Sequence, residues 1–244
     1  MTAITAVYRR TAKGCLSISF AADLVRRLGG NSLNVTAPAD PTQESVAMIE
    51  RQSALIVEDV RSMTGLESVV FTPTPTGGIV VDHGQTAEYE ECDTLYPRLE
   101  SGLFARGSGP IVVPFGDSLE AVPQAERACL LAKQLALPMV LYHTTWVDTG
   151  VTSKNPADHM CAAAVQVEQR LTQMAVGHGV EVKSVIETAS DVVEGIVHCT
   201  MRESARLIVM SRSSKTTLGC YVEQALKQSP VPLLAIAALD RRRP

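Results

Sequence analysis

Two short segments hold the residues best suited to chemistry. Ser211-Arg212-Ser213-Ser214-Lys215-Thr216-Thr217 runs into Gly219-Cys220, where the pattern predicts a helix start. Hydroxyls and cations at a helix N-terminus suit an anion, because the unpaired N–H groups of the first turn favour negative charge. Gly116-Asp117-Ser118 follows one apolar run, and His143 ends another. Aspartate, serine and histidine together raise the question of a nucleophile with its base. Ser118 is not in a Gly-x-Ser-x-Gly turn, however, and nothing marks an oxyanion hole. Asp117 and Ser118 read more simply as helix caps. For the 211–220 loop two readings stand, an anion seat and an ordinary polar turn, and the polar turn is favoured.

Cysteines at 15, 92, 129, 161, 199 and 220 form no Cys-x-x-Cys pair, which points to reduced thiols in a cytoplasmic protein. A helix start at Cys220 would favour its thiolate if exposed, a redox-sensing arrangement; an inert buried thiol is the preferred reading. His159 with Cys161, and His198 with Cys199, lack the spacing of three or four that puts ligands on one helical face, so no metal site is expected.

The elements that must position these residues are clearest from Pro110 to Ala237. Pro-Ile-Val-Val-Pro-Phe, Pro-Met-Val-Leu-Tyr-His, Val-Glu-Val-Lys-Ser-Val-Ile-Glu, Leu-Ile-Val-Met and Val-Pro-Leu-Leu-Ala-Ile are apolar runs of strand length, separated by segments that read as helix. Such alternation marks a parallel sheet covered on both faces. The third run alternates at Val180, Glu181, Val182 and Lys183, as an edge strand does. Ala125, Ala128, Ala132 and Leu135 line one helix. Asn155-Pro156 predicts the start of another, with Met160, Ala164, Val167, Leu171 and Met174 as its stripe. Asp191 and Glu194 form a capping box for the next.

The first half reads as a drifted copy. Ile4–Tyr8, a segment ending at Asn34-Val35, and Ser68–Phe71 are predicted strands. One intervening helix has the stripe Ile18, Ala21, Val25, Leu28; the other is headed by Asp40-Pro41-Thr42-Gln43 and carries Val46, Ile49, Ser53, Val57 and Val60 on one face. Gly78-Ile79-Val80 echoes Gly195-Ile196-Val197 at the same place in the succession, which suggests internal duplication. Ile111–Pro114 could end the first copy or open the second. A first strand lies mid-sheet and cannot be omitted, so the second copy owns it. The first copy is then left with four strands and an open edge near Asp93–Tyr96.

Composition sets bounds. The net charge of −4 argues against a broad nucleic-acid surface. No apolar run approaches the ~20 residues that span a bilayer, and the N-terminus is not patterned as a secretory signal.

Pro110–Ala237 resembles the universal stress protein family through Ile111–Ser118, the alanine-rich helix, Val140–His143, Leu207–Ser211 and Pro230–Ile236, taken in order. The whole chain resembles a tandem member with a degenerate first domain. The resemblance implies an α/β protein of two Rossmann-like open parallel sheets, with order 3-2-1-4-5 in the second and the first incomplete. The domains would be 1–109 and 110–244. Nucleotide-binding members use an aspartate after the first strand and a Gly-x2-Gly-x9-Gly-Ser/Thr loop after the fourth. Here Ser211 and Ser214 stand in the first two glycine positions, four residues separate Ser214 from Gly219, and Cys220 replaces the hydroxyl residue. The order Gly116-Asp117 is also reversed relative to the family's.

By resemblance the ligand positions would be Gly116, Asp117, Ser118, His143, Met210, Ser211, Ser214, Lys215, Gly219 and Cys220, with His143 as a wall of an adenine-type pocket. The implied function is stress response by binding and protein interaction, without catalysis. The alternatives are an adenine-nucleotide sensor (ATP, ADP, AMP or a cyclic nucleotide) and a cytoplasmic regulatory partner of a cation transporter. Residues 231–236 would pair in a homodimer or within the chain.

Overall fold

Within each of the two units into which the chain divides, Met1–Leu103 and Phe104–Pro244, the described strand pairings are parallel. The computed structural model describes residues 3–9, 11–37, 46–75, 78–83, 92–98, 109–119, 121–145, 160–212 and 218–237, with the backbone alone at 46–50 and 218–220.

Unit one contains β1 (Ile4–Val7), α1 (Ala12–Arg27), β2 (Ser32–Thr36), α2 (Val46–Thr64), β3 (Ser68–Phe71), β4 (Ile79–Val81) and β5 (Asp93–Tyr96). Its strands run in the order β3-β2-β1-β4-β5. The sequence accounts for α1 locally. Thr11 is its N-cap, with Oγ1 accepting the Gly14 N–H at 3.1 Å, a contribution of about 1 kcal/mol. Ile18, Ala21, Leu24 and Val25 recur at helical spacing and are buried. All four residues of β1 are buried, as a strand covered on both faces requires.

Unit two contains β6 (Ile111–Pro114), α3 (Ala121–Leu135), β7 (Met139–Thr145), α4 (Ala162–Gly177), β8 (Val182–Thr188), α5 (Val192–Arg202), β9 (Leu207–Ser211), α6 (Leu218–Gln228) and β10 (Leu233–Ile236). The strand order β8-β7-β6-β9-β10 is 3-2-1-4-5 in the unit's own count. β6 is fully buried at the centre, paired with β7 on one side and β9 on the other. β8 ends the sheet of this unit, as the sequence predicts of an edge strand, but it begins at Val182 and its burial does not alternate: no residue of it is buried. The small residues Ala125, Ala128 and Ala132 of α3 are all buried and bring that helix close to β6 and β9. Asp191 caps α5, accepting the Glu194 N–H at 2.9 Å.

Three sequence expectations need correction. Unit one has five strands, not four, because Ile79–Val81 is the strand β4. The echo with Gly195–Val197 therefore joins unlike elements, since those residues lie inside α5. An Ile-Val-Val run favours a strand between two others, whereas the Asp191 cap and the buried Val193, Ile196 and Cys199 fix a helix. Gly195 serves packing instead: a Cβ there would strike the hydroxyl of Tyr142 on β7. Among the described residues unit one has two helices and unit two has four. Finally, α4 opens at Ala162 with Cys161 as N-cap, so Met160 precedes the helix and is not part of its stripe. Asn155-Pro156 and Asp40–Gln43 lie outside the described residues.

Candidate functional site

Open parallel sheets bind ligands outside the carboxyl ends of the strands, where the strand order reverses. In unit two that point lies between β6 and β9, with β7 flanking. It gathers Phe115, Gly116, Asp117 and Ser118 after β6, His143 on β7, and Met210, Ser211 and Arg212 at the end of β9.

Hydrogen-bond directions show what happens at the β6/β9 seam. Ile111 and Phe115 donate their N–H groups to Pro138 and Tyr142, each at 2.9 Å, so odd positions of β6 face β7 and Pro114 faces β9. Ile208 and Arg212 donate to Pro232 at 3.0 Å and Ile236 at 2.8 Å, so Val209 and Ser211 face β6. Proline has no N–H, and the ladder therefore fails at Pro114. The gap is filled by Gln124 from the first turn of α3. Its Nε2 donates to the Pro114 carbonyl at 2.6 Å and the Val209 carbonyl at 2.9 Å, while its Oε1 accepts the Ser211 N–H at 3.0 Å. Gln124 is 5% exposed. One carboxamide thus satisfies three backbone groups that proline would leave unmatched.

His143 is held by the backbone. Its Nδ1 lies 2.9 Å from the Phe115 carbonyl, an acceptor, so Nδ1 carries the proton. The ring also stacks on Phe115 with centroids 5.0 Å apart and planes 25° from parallel. A catalytic histidine is usually oriented by a carboxylate at this nitrogen. Here the chain's own carbonyl and an aromatic ring make a fixed flat wall.

The other expected positions divide. Asp117 and Ser118 are exposed and Gly116 is partly exposed. Met210 is buried in the sheet, and Ser211 is half-buried with its N–H committed to Gln124. Gly219 and Cys220 lie in the first turn of α6, while Ser214 and Lys215 fall outside the described residues. Among the described residues no group of three or more metal-ligating side chains occurs. Cys129 and Cys199 are buried, and burial pushes each thiol up to about 11, which makes both inert near neutrality.

Sequence reasoning missed Gln124. The signal was a proline ending a central strand, which demands a donor from elsewhere, and a lone polar residue on the alanine face of the following helix.

The corresponding point in unit one lies between β1 and β4. Arg9, after β1, clasps Asp82, after β4: Nε to Oδ1 at 3.3 Å and Nη2 to Oδ2 at 3.1 Å. The Asp82 side chain is 2% exposed and that of Arg9 29%. A tight turn sets Arg9 in place, since a Cβ at Gly14 would collide with the Arg9 carbonyl. His83 follows Asp82. Burial holds its pKa below the ordinary imidazole value; Asp82 opposes this, and Lys13 and Arg98 reinforce it. Its Nε2 is buried and has no hydrogen-bond partner among the described residues.

No family model matches the sequence, and no curated protein matches it. Solved structures do. The chain has the fold of a universal stress protein from Archaeoglobus fulgidus, with a TM-score of 0.66 at 16% identity, covering 97% of this chain and 98% of that one. A functionally unknown protein from Pseudomonas aeruginosa aligns at TM-score 0.51 and 11% identity, over 97% of this chain and 92% of that one. A universal stress protein solved in complex with cAMP aligns with 54% of this chain and 99% of its own, at TM-score 0.47 and 14% identity. Among the described residues no helix is long and apolar enough to cross a membrane.

Proposed function

We propose that this chain is a stress-response protein of the universal stress type, acting by binding and not by turnover. The observation that carries the proposal is His143: its Nδ1–H is tied to the Phe115 carbonyl and its ring lies against Phe115, so it presents a fixed flat wall beside the strand-order reversal. The shared fold and the ordered resemblance of Pro110–Ala237 support the same view. Mass spectrometry of natively purified protein, searching for a retained small molecule, tests it, together with assays for turnover of ATP and simple esters. Measured hydrolysis of either substrate by the pure protein overturns it.

A second reading is favoured by the place of that wall. Unit two offers an aromatic face beside the strand-order reversal and a helix N-terminus at α6, which suits an adenine nucleotide. ATP, ADP or AMP should then raise the melting temperature of the native chain, and Lys215→Ala should abolish the rise. Absence of any shift in the native chain removes this reading and leaves the first standing.

A further inference from the structure

We infer that the outer edge of β8 is an association surface whose partner is the β8 of a second copy of this chain, laid antiparallel about a two-fold axis at Val185. β8 ends the strand order of unit two on the side away from β10, and among the described residues only β7 pairs with it. An edge strand offers a row of N–H and C=O groups to another strand, and proteins commonly blunt it by shortness, proline or a bulge. β8 has seven residues, none of them buried, and neither proline nor glycine. Its register with β7 runs unbroken from Met139 and Val182 to Thr145 and Thr188. β3, which ends the order of unit one, has only four residues, and Val69 within it is buried.

The ladder with β7 decides which backbone groups point outward. Met139 donates to the Glu181 carbonyl at 2.8 Å while standing opposite Val182. Lys183, Val185 and Glu187 therefore turn their backbone groups to β7, and Val182, Ser184, Ile186 and Thr188 turn theirs outward. With the axis at Val185, Ser184 meets Ile186 of the second copy and Val182 meets its Thr188, each pair exchanging two hydrogen bonds.

The side chains select this register. Lys183 and Glu187 lie two positions to either side of Val185, so each stands opposite the other's counterpart in a closely spaced pair. An axis at Ser184 would set Glu181 against Glu187, and one at Ile186 would leave Lys183 opposite Ala189. Within one chain Lys183, Glu203, Arg202 and Glu187 already form a row of alternating charge, with Arg202 Nε 3.4 Å from Glu203. The row ends in a cation at one side and a carboxylate at the other. The two-fold axis joins each end to its opposite in the second copy and closes a ring. The Lys183 side chain is 57% exposed, and its ammonium has donors beyond the one given to Glu203. The half-buried Val182, Val185 and Ile186 gain cover at the same time.

Sedimentation equilibrium of the full chain tests this, with Lys183→Glu, Glu187→Lys and an equimolar mixture of the two variants. The native chain should form a dimer. Either variant alone sets like charges opposite each other at both contacts, and its dimer should weaken about tenfold or more. In the mixed dimer the two altered residues meet at one contact and the native Glu187 and Lys183 meet at the other. Its affinity should return to within about threefold of the native value. Each variant also breaks an ion pair of its own chain, which mixing leaves broken, so recovery can come only across the interface. Three results overturn the inference: a native chain that stays monomeric up to about 100 µM, a single variant that dimerises as the native chain does, or a mixture no tighter than its components. The second is what a dimer through residues 231–236 would give. If either variant fails to fold, hydrogen exchange in the native chain decides. The Ser184 and Ile186 amides should gain protection as concentration rises, while the Val185 amide, turned to β7, should not change. Ser184 and Ile186 amides that stay as fast in the dimer as in the monomer overturn the assignment.

Discussion

The two units close the same topological point with different chemistry. Unit one joins the ends of β1 and β4 through a charge pair, Arg9 to Asp82, with Asp82 almost wholly buried. Unit two joins β6 and β9 through the neutral carboxamide of Gln124. A carboxamide offers donors and an acceptor at fixed angles and carries no net charge, so its burial needs only matched partners. A buried carboxylate needs its cation, and losing that cation strands a charge in a poorly solvated place. Unit one is therefore expected to be the more fragile at this point.

The largest effect should come from Arg9→Met. It removes the two hydrogen bonds that the buried Asp82 accepts from Arg9, and the loss should be about 3 kcal/mol. Asp82→Asn should cost less, because Arg9 is partly exposed and can turn toward water. Gln124→Met keeps the volume and removes the three hydrogen bonds of the carboxamide, for a loss of about 2 kcal/mol. Hydrogen exchange read separately over the amides of each unit resolves the three variants. The comparison breaks if Gln124→Met costs more than Arg9→Met, or if Arg9→Met and Asp82→Asn cost the same.

Acid should separate the units further. The His83 pKa is depressed in the folded state, chiefly by burial, with Lys13 and Arg98 adding to the shift and Asp82 opposing it. A base with a depressed folded pKa contributes stability that is present above its unfolded value of 6.5 and lost as pH falls through the folded value. Unit one amides should thus exchange faster, relative to their intrinsic rates, as pH drops below 6.5. His83→Gln should flatten that dependence, and the Gln124 seam should show none. An acid response unchanged in His83→Gln locates the sensitive group elsewhere.

How far the sequence could be read follows the same division. Unit two was legible because its strands are continuous apolar runs and its helices carry caps and regular stripes, so local preference and buried position agree. Its parallel sheet, central β6 and edge β8 all follow from those runs. Unit one was harder because β4 is a short Ile79–Val81 run beside a glycine, and its identity as a strand depends on β1 and β5 around it. Local pattern cannot carry that information. At the site, Ser211 ends β9 as its apolar run predicts, whereas His143, expected at a strand end, lies within β7, which runs on to Thr145. Gln124 was not legible. It lies among alanines on a helix, and its role exists only because Pro114 and Val209 meet across a gap that no linear pattern displays.

Alkali should produce the smallest effect, and in the other unit. Cys129 of α3 and Cys199 of α5 are fully buried, and burial first of all raises each thiol from 9.0 to about 11. A raised folded pKa means that the folded state prefers the protonated thiol. That contribution is whole below pH 9 and disappears as pH rises through about 11. Unit two should therefore weaken across that window, and Cys199→Ala should remove part of the slope without altering the acid response assigned to His83. The same burial predicts reactivity. At pH 8 a thiol reagent should modify the exposed Cys15 and Cys161 while Cys129 and Cys199 stay unmodified in the folded chain. Rapid labelling of Cys199 under those conditions means that α5 opens readily from the sheet. The two units would then differ in packing stability, and the contrast between their seams would no longer be one of chemistry alone.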